Sequence, residues 1–175
     1  MTENVLCEMV QAVCEGNVER ARQILDEWPE LRDSQDYLNE SFHDACMFRQ
    51  LEMMALFADC GADVNTTREG EDFRTSPLSE AAGAGASNVV RWLLQHGARV
   101  NESFEGEACC YGMIAAAIGG YLGVIEMLVD HGANVNSKRS HSTALSWAIA
   151  RRDNEMADYL RRNGAIEPDG VDVRI

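Results

Sequence analysis

Four stretches of the chain end almost alike: LFADCGADVN at 56–65, LLQHGARVN at 93–101, LVDHGANVN at 128–136 and LRRNGAIEP at 160–168. Their glycines, Gly61, Gly97, Gly132 and Gly164, are spaced by 36, 35 and 32 residues. Sixteen residues before each glycine stands an alanine: Ala45, Ala81, Ala116 and Ala148. A self-similar period of this length marks a repeat architecture. Each unit is one supersecondary element that cannot bury its apolar face alone, so neighbours must stack.

The repeating unit is readable from its own pattern. NVVRWLLQHG (88–97) carries Val89, Val90, Trp92, Leu93 and Leu94, then stops at Gly97. That is an amphipathic helix with a glycine just past its end, where a left-handed residue closes the last carbonyls. VIEMLVDHG (124–132) and MADYLRRNG (156–164) repeat the design. Before each such helix the spacing predicts another, rich in small residues: FHDACMFRQ (42–50), LSEAAGAG (78–85), MIAAAIGG (113–120) and LSWAIARRD (145–153). Alanine at the inner positions lets two antiparallel helices approach closely.

These residues resemble the ankyrin-repeat family. SPLSEAA (76–82) is similar to its T-P-L-H-x-A-A signature, GADVN (61–65) matches its hairpin entry, and TALSWAI (143–149) is a looser copy. A degenerate first unit aligns in the same register. Ala12 and Gly16 match the alanine and the inter-helix glycine, Ile24 and Leu25 stand for the Leu-Leu pair, Trp28 takes the glycine position, and Pro29 is expected to end the helix. The resemblance implies an all-α repeat solenoid of about five repeats, each a helix-turn-helix with a β-hairpin finger. The expected organisation is one domain over 1–168, with repeats near 3–35, 36–69, 70–105, 106–138 and 139–168, and a short tail at 169–175. Arg20 and Arg161 replace apolar residues of the other repeats, as polar capping repeats require. On that basis the array is expected to begin and end within this chain.

The two long intervals place extra residues in TTREGEDFRTS (66–76) and ESFEGEACCYG (102–112). In ankyrin proteins these segments form fingers beside a concave groove, and lengthening a loop costs little. The resemblance therefore implies that partner-binding residues include Glu69, Glu71, Asp72, Phe73 and Arg74 in one finger and Glu102, Phe104, Glu105 and Tyr111 in the other. Arg68 and Glu107 also lie in these fingers, and Lys138 and Arg139 reverse the sign in the last. Along the inner helices Asp44, Phe48, Glu80, Trp147 and Arg151 fall at groove positions. Aromatic and arginine side chains are the usual interface anchors.

Composition excludes several function classes. Among 175 residues, 46% are hydrophobic and 25% charged, which suits a packed domain. The net charge of −14, from 29 acids against 15 bases, repels a phosphate backbone, so no nucleic-acid partner is expected. Residues 1–44 hold eleven acids against Arg20, Arg22 and Arg32. No signal peptide and no 18-residue apolar run is present, so no membrane association is expected. The six cysteines form no CxxC pair and fit a reducing compartment, which makes a cytoplasmic monomer the expectation.

Catalytic chemistry has no foothold. His96 and His131 sit at helix ends, and His43 with Cys46 and Cys60 lacks the paired spacing of a zinc site. Cys109 and Cys110 have no neighbouring cation in sequence to activate a thiol. AAGAGAS (81–87) ends a helix and lacks the lysine of a phosphate loop. No enzyme activity, metal or cofactor is expected. The reading is a protein–protein interaction module that binds, and inhibits, a basic partner through the groove and fingers. Its alternatives are an immunity or antitoxin-type inhibitor of a bacterial toxin and a structural module that self-assembles.

Overall fold

The structure, a computed structural model, describes residues 3–69, 74–104, 107–138 and 142–167. The chain divides into two compact units, Met1–Pro77 and Leu78–Ile175. In the first, α1 (Glu3–Glu15) pairs with α2 (Val18–Glu27), a short α3 (Pro29–Arg32) follows, and α4 (Gln35–Met47) pairs with α5 (Leu51–Asp59). A hairpin of β1 (Arg68–Glu69) and β2 (Arg74–Thr75) closes it, with Arg68 opposite Thr75 and Glu69 opposite Arg74. The second unit begins within α6 (Pro77–Gly83) and continues with α7 (Ser87–Gln95). The hairpin of β3 (Glu102–Phe104) and β4 (Glu107–Cys109) leads to α8 (Tyr111–Gly119), α9 (Leu122–Asp130), α10 (Ala144–Ala150) and α11 (Asn154–Arg162).

Four helix starts are set by short polar side chains that accept from orphan backbone N–H groups. Asn17 accepts from Arg20, Ser34 from Tyr37 and Asp153 from Met156, while Thr143 and Ser146 form a reciprocal capping box. Helix ends close as the sequence implies. Gly61, Gly97, Gly132 and Gly164 all have φ between 83° and 104°. The alanine after each donates back to the helix, as in Ala62 to Phe57 at 2.9 Å and Ala133 to Leu128 at 3.0 Å. Trp28 differs from these glycines, with φ −128°, and Pro29 starts α3 rather than only ending α2. Proline suits that first helical position because its missing N–H would have no partner there.

The repeating alanines lie in the core: Ala12, Ala45, Ala81, Ala116 and Ala148 are all buried. Around them the first unit buries Met9, Ile24, Leu38, Phe42, Met53 and Phe57, and the second buries Val89, Leu93, Ile114, Ile125, Leu145 and Leu160. Full burial of each larger side chain contributes about 1.5–3 kcal/mol. In the second unit α8 packs on α9 and α10, and α10 on α11.

Two interactions tie successive helix pairs together. In the second unit the asparagine ending a hairpin entry reaches into the next. Asn101 donates to the Gly132 carbonyl and accepts from the Asn134 N–H, both at 2.8 Å. Asn136 does the same to Gly164 and Ile166, at 3.0 and 2.8 Å. In the first unit Arg32 stands where that asparagine would be, and α4 supplies substitutes. Gln35 donates to the Gly61 carbonyl at 2.9 Å, and Asn39 accepts from the Asp63 N–H at 2.9 Å. This explains why α4 begins at Gln35, well before the residue 42 expected from the repeat pattern.

The second device covers the inter-helix turn with a side chain from further along. Gln50 lies over Gly16, the Tyr121 ring over Gly85, and the Arg151 guanidinium over Gly120, so a Cβ at any of these glycines would collide. The same turn position is occupied by Arg49 and Arg152, at φ 59° and 58°. A left-handed arginine costs about 1 kcal/mol relative to glycine.

Replacing Asn101 by alanine removes both hydrogen bonds and is expected to cost about 1–2 kcal/mol, read as a lower urea midpoint at unchanged m-value. Arg152→Gly relieves the exposed left-handed residue and is expected to raise stability by up to about 1 kcal/mol in the same assay.

Candidate functional site

The first finger is anchored at its root. Arg68, on β1, turns its guanidinium onto α4, where Nη2 donates to the Glu40 carbonyl oxygen at 2.8 Å. The same nitrogen lies 2.8 Å from the Glu40 carboxylate and 2.7 Å from that of Asp44. Glu40 and Asp44 are four residues apart, so one turn of α4 presents both carboxylates on one face. The Arg68 side chain is only 25% exposed. Burial works against its charge, and the hydrogen bond and attraction of Asp44, then those of Glu40, outweigh it and raise the guanidinium above its ordinary value. The cation is therefore permanent, and the finger root is held by charge-assisted bonds. Tyr37 lies on the same helix, its phenol raised by burial and by the Asp44 charge.

Beyond this root, Glu71, Asp72 and Phe73 lie outside the described residues, as does Glu105 in the second finger. Glu69, Arg74 and Phe104 are placed by their strand backbones, Phe104 opposite Glu107. Glu102 is half-buried opposite Cys109, and Tyr111 is half-buried at the start of α8. Cys110 is fully buried, and its N–H donates to the Ser137 hydroxyl at 2.7 Å. That bond ties the base of the second finger to the following loop. The two fingers belong to separate units, and each is placed within its own.

Trp147 is half-buried on α10. Arg151, at the end of that helix, donates to the Ile118 carbonyl at 2.9 Å while its guanidinium lies over Gly120. It braces the end of α8, a contact that no sequence pattern signals. On the inner helix of the first unit Asp44 is engaged by Arg68, while Phe48 and its neighbour Met47 are exposed. Sequence reasoning passed over Met47 and over Glu40 as the partner of Arg68. The available signal was the Glu40–Asp44 spacing upstream of an arginine that opens an otherwise acidic finger.

The residues weighed for chemistry take structural places. His96 and His131 each donate from Nδ1 to the carbonyl four residues back at 2.8 Å, satisfying a helix-terminal acceptor, and the His96 ring stacks on Trp92. His43 and Cys46 are buried within α4. Among the described residues no group of His, Cys, Asp or Glu gathers to hold a metal ion. Arg20 pairs with Glu8 and, at 3.9 Å, with Glu27, and Arg161 pairs with Glu167 at 2.6 Å and Asp158 at 3.2 Å. Local carboxylates thus satisfy both polar replacements. Arg20 stands where Met53, Val89, Val124 and Met156 are buried.

Loss of the Arg68 clamp is expected to loosen the first finger. Arg68→Ala should cost about 1 kcal/mol, and amide exchange at 66–69 and 74–75 should accelerate, with helix α2 unaffected.

Among known proteins, the family model for ankyrin repeats in three copies matches residues 9–104, and the single-repeat model matches 113–140. No curated protein matches the chain. The matched segments contain the terminal glycines Gly61, Gly97 and Gly132 and the Asn101 tie, while α10, α11 and Gly164 lie outside them. Ankyrin repeats are generally protein–protein interaction modules and typically non-catalytic. The chain belongs to the ankyrin-repeat family, an all-α repeat fold of the solenoid class.

Proposed function

We propose that this protein is a non-catalytic interaction module that binds a partner with a basic surface and inhibits it by covering that surface. The observation that carries this reading is the distribution of charge. Residues 1–77 hold seventeen acids against six arginines, whereas 78–175 hold twelve acids against nine bases. A field this one-sided attracts cations, raises the rate of encounter and rejects anionic partners. The contact residues proposed are those of the two long fingers, 66–76 and 102–112, with Trp147 and Arg151 on the last inner helix. A monomer acting in the cytoplasm belongs to the same proposal. The free cysteines among the described residues suit a reducing compartment, and no described helix is long and apolar enough to cross a membrane.

Affinity capture on the immobilised protein at low and high salt tests this. The retained partner is expected to be basic and to bind at least about tenfold more weakly at high salt. Phe73→Ala combined with Phe104→Ala is expected to weaken it by about tenfold more. A partner held equally at both salts, or an acidic one, contradicts the reading.

A further inference from the structure

The end of α4 carries three features that its own packing does not require. Met47 is 59% and Phe48 42% exposed, an adjacent pair of large apolar side chains on the surface. At the matching positions the other helix pairs carry Cys14–Glu15, Gly83–Ala84, Ile118–Gly119 and Ala150–Arg151, so none repeats the pair. The next residue, Arg49, holds a left-handed backbone, as Arg152 does in the last pair, where Gly16, Gly85 and Gly120 stand elsewhere. Strained non-glycine residues gather at functional sites, because selection for stability alone would remove them.

The surroundings state what such a surface attracts. Carboxylates flank the pair: Glu52 lies in the first turn of α5, and Asp44, one turn earlier on α4, adds its charge while it is engaged by Arg68. Gln50 covers Gly16 and its amide donates to the Cys14 carbonyl at 3.4 Å, which brings the end of α1, with Glu15, beside the turn. The whole unit has an excess of eleven negative charges. Methionine adapts to irregular partners, and a rigid aromatic beside it supplies contact area at low entropy cost.

We infer that the Met47–Phe48 turn is the apolar anchor for a cationic, amphipathic segment of a partner protein. An aliphatic or aromatic side chain of that segment seats on Phe48 and Met47, while its flanking lysines and arginines meet the carboxylates around the turn. The inference rests on the protein-binding reading and adds to it a surface outside the fingers and a segment chemistry. Both terms are needed. The apolar seat gives residence time and the carboxylates give encounter rate and sign.

The test uses the full chain and a short fluorescein-labelled peptide of lysine, leucine and one phenylalanine, followed by anisotropy. A second peptide has serine in place of every apolar residue, and a third has glutamate in place of every lysine. The first peptide is expected to bind. Met47→Ser with Phe48→Ser is expected to weaken it by about tenfold while the thermal transition stays in place, since both side chains are exposed. The serine peptide is expected to bind weakly and equally to wild type and variant. Equal affinity of wild type and variant for the first peptide overturns the anchor. If Phe73→Ala with Phe104→Ala abolishes binding and the Met47–Phe48 variant does not, the anchor falls and the finger-based reading stands. Failure of the lysine peptide to bind, or equal binding of the glutamate peptide, overturns both.

Discussion

Everything in this fold depends on how closely two short helices can approach. At the crossing of each pair stands an alanine, Ala12, Ala45, Ala81, Ala116 or Ala148, and each is buried. A larger side chain there would push the helices apart and open the core that Ile24, Phe57, Leu93, Ile125 and Leu160 fill from the outer helices. The left-handed glycines then turn the chain sharply enough for the next pair to begin. A helix of nine residues such as α7, α9 or α11 is marginal alone, so burial against its neighbours is what makes it persist.

Because the helices carry the stability, the rest of each unit is available for recognition. The hairpins are tied at their roots and extend from there. Arg68 holds β1 to Glu40 and Asp44 on α4, and Ser137 accepts the Cys110 N–H at the base of the second finger. An insertion beyond those ties alters no helix contact, which is why two long intervals coexist with an otherwise regular period. Charge follows the same division of labour. The acids of the first unit sit mainly on exposed helix positions and loops, where they cost little and act over a Debye length on anything that approaches.

Much of this was legible because it is periodic. Apolar spacing, the terminal glycines and the buried alanines recur, and recurrence reveals them without any knowledge of contacts. The departures were less legible for a physical reason: each is satisfied by a residue distant in sequence. Arg32 in place of a tying asparagine looks like a loss until Gln35 and Asn39 are seen reaching Gly61 and Asp63. Arg151 stands at a groove position, and nothing in the chain signals that its guanidinium lies over Gly120. Pro29 looks like a stop signal, and the same missing N–H that stops α2 suits it to start α3.

The sequence by itself determined the repeat, the family, the helix pairs and the sign of the field, since all four follow from local spacing and formal charge. Only the tertiary structure decided which side chains are committed to the fold and which remain at the surface. Asp44 and Phe48 read alike in the chain, as inner-helix residues near a groove. Folding pairs the first with Arg68 and leaves the second exposed beside Met47. That distinction depends on where β1 returns to α4, a three-dimensional closure to which no periodic signal points.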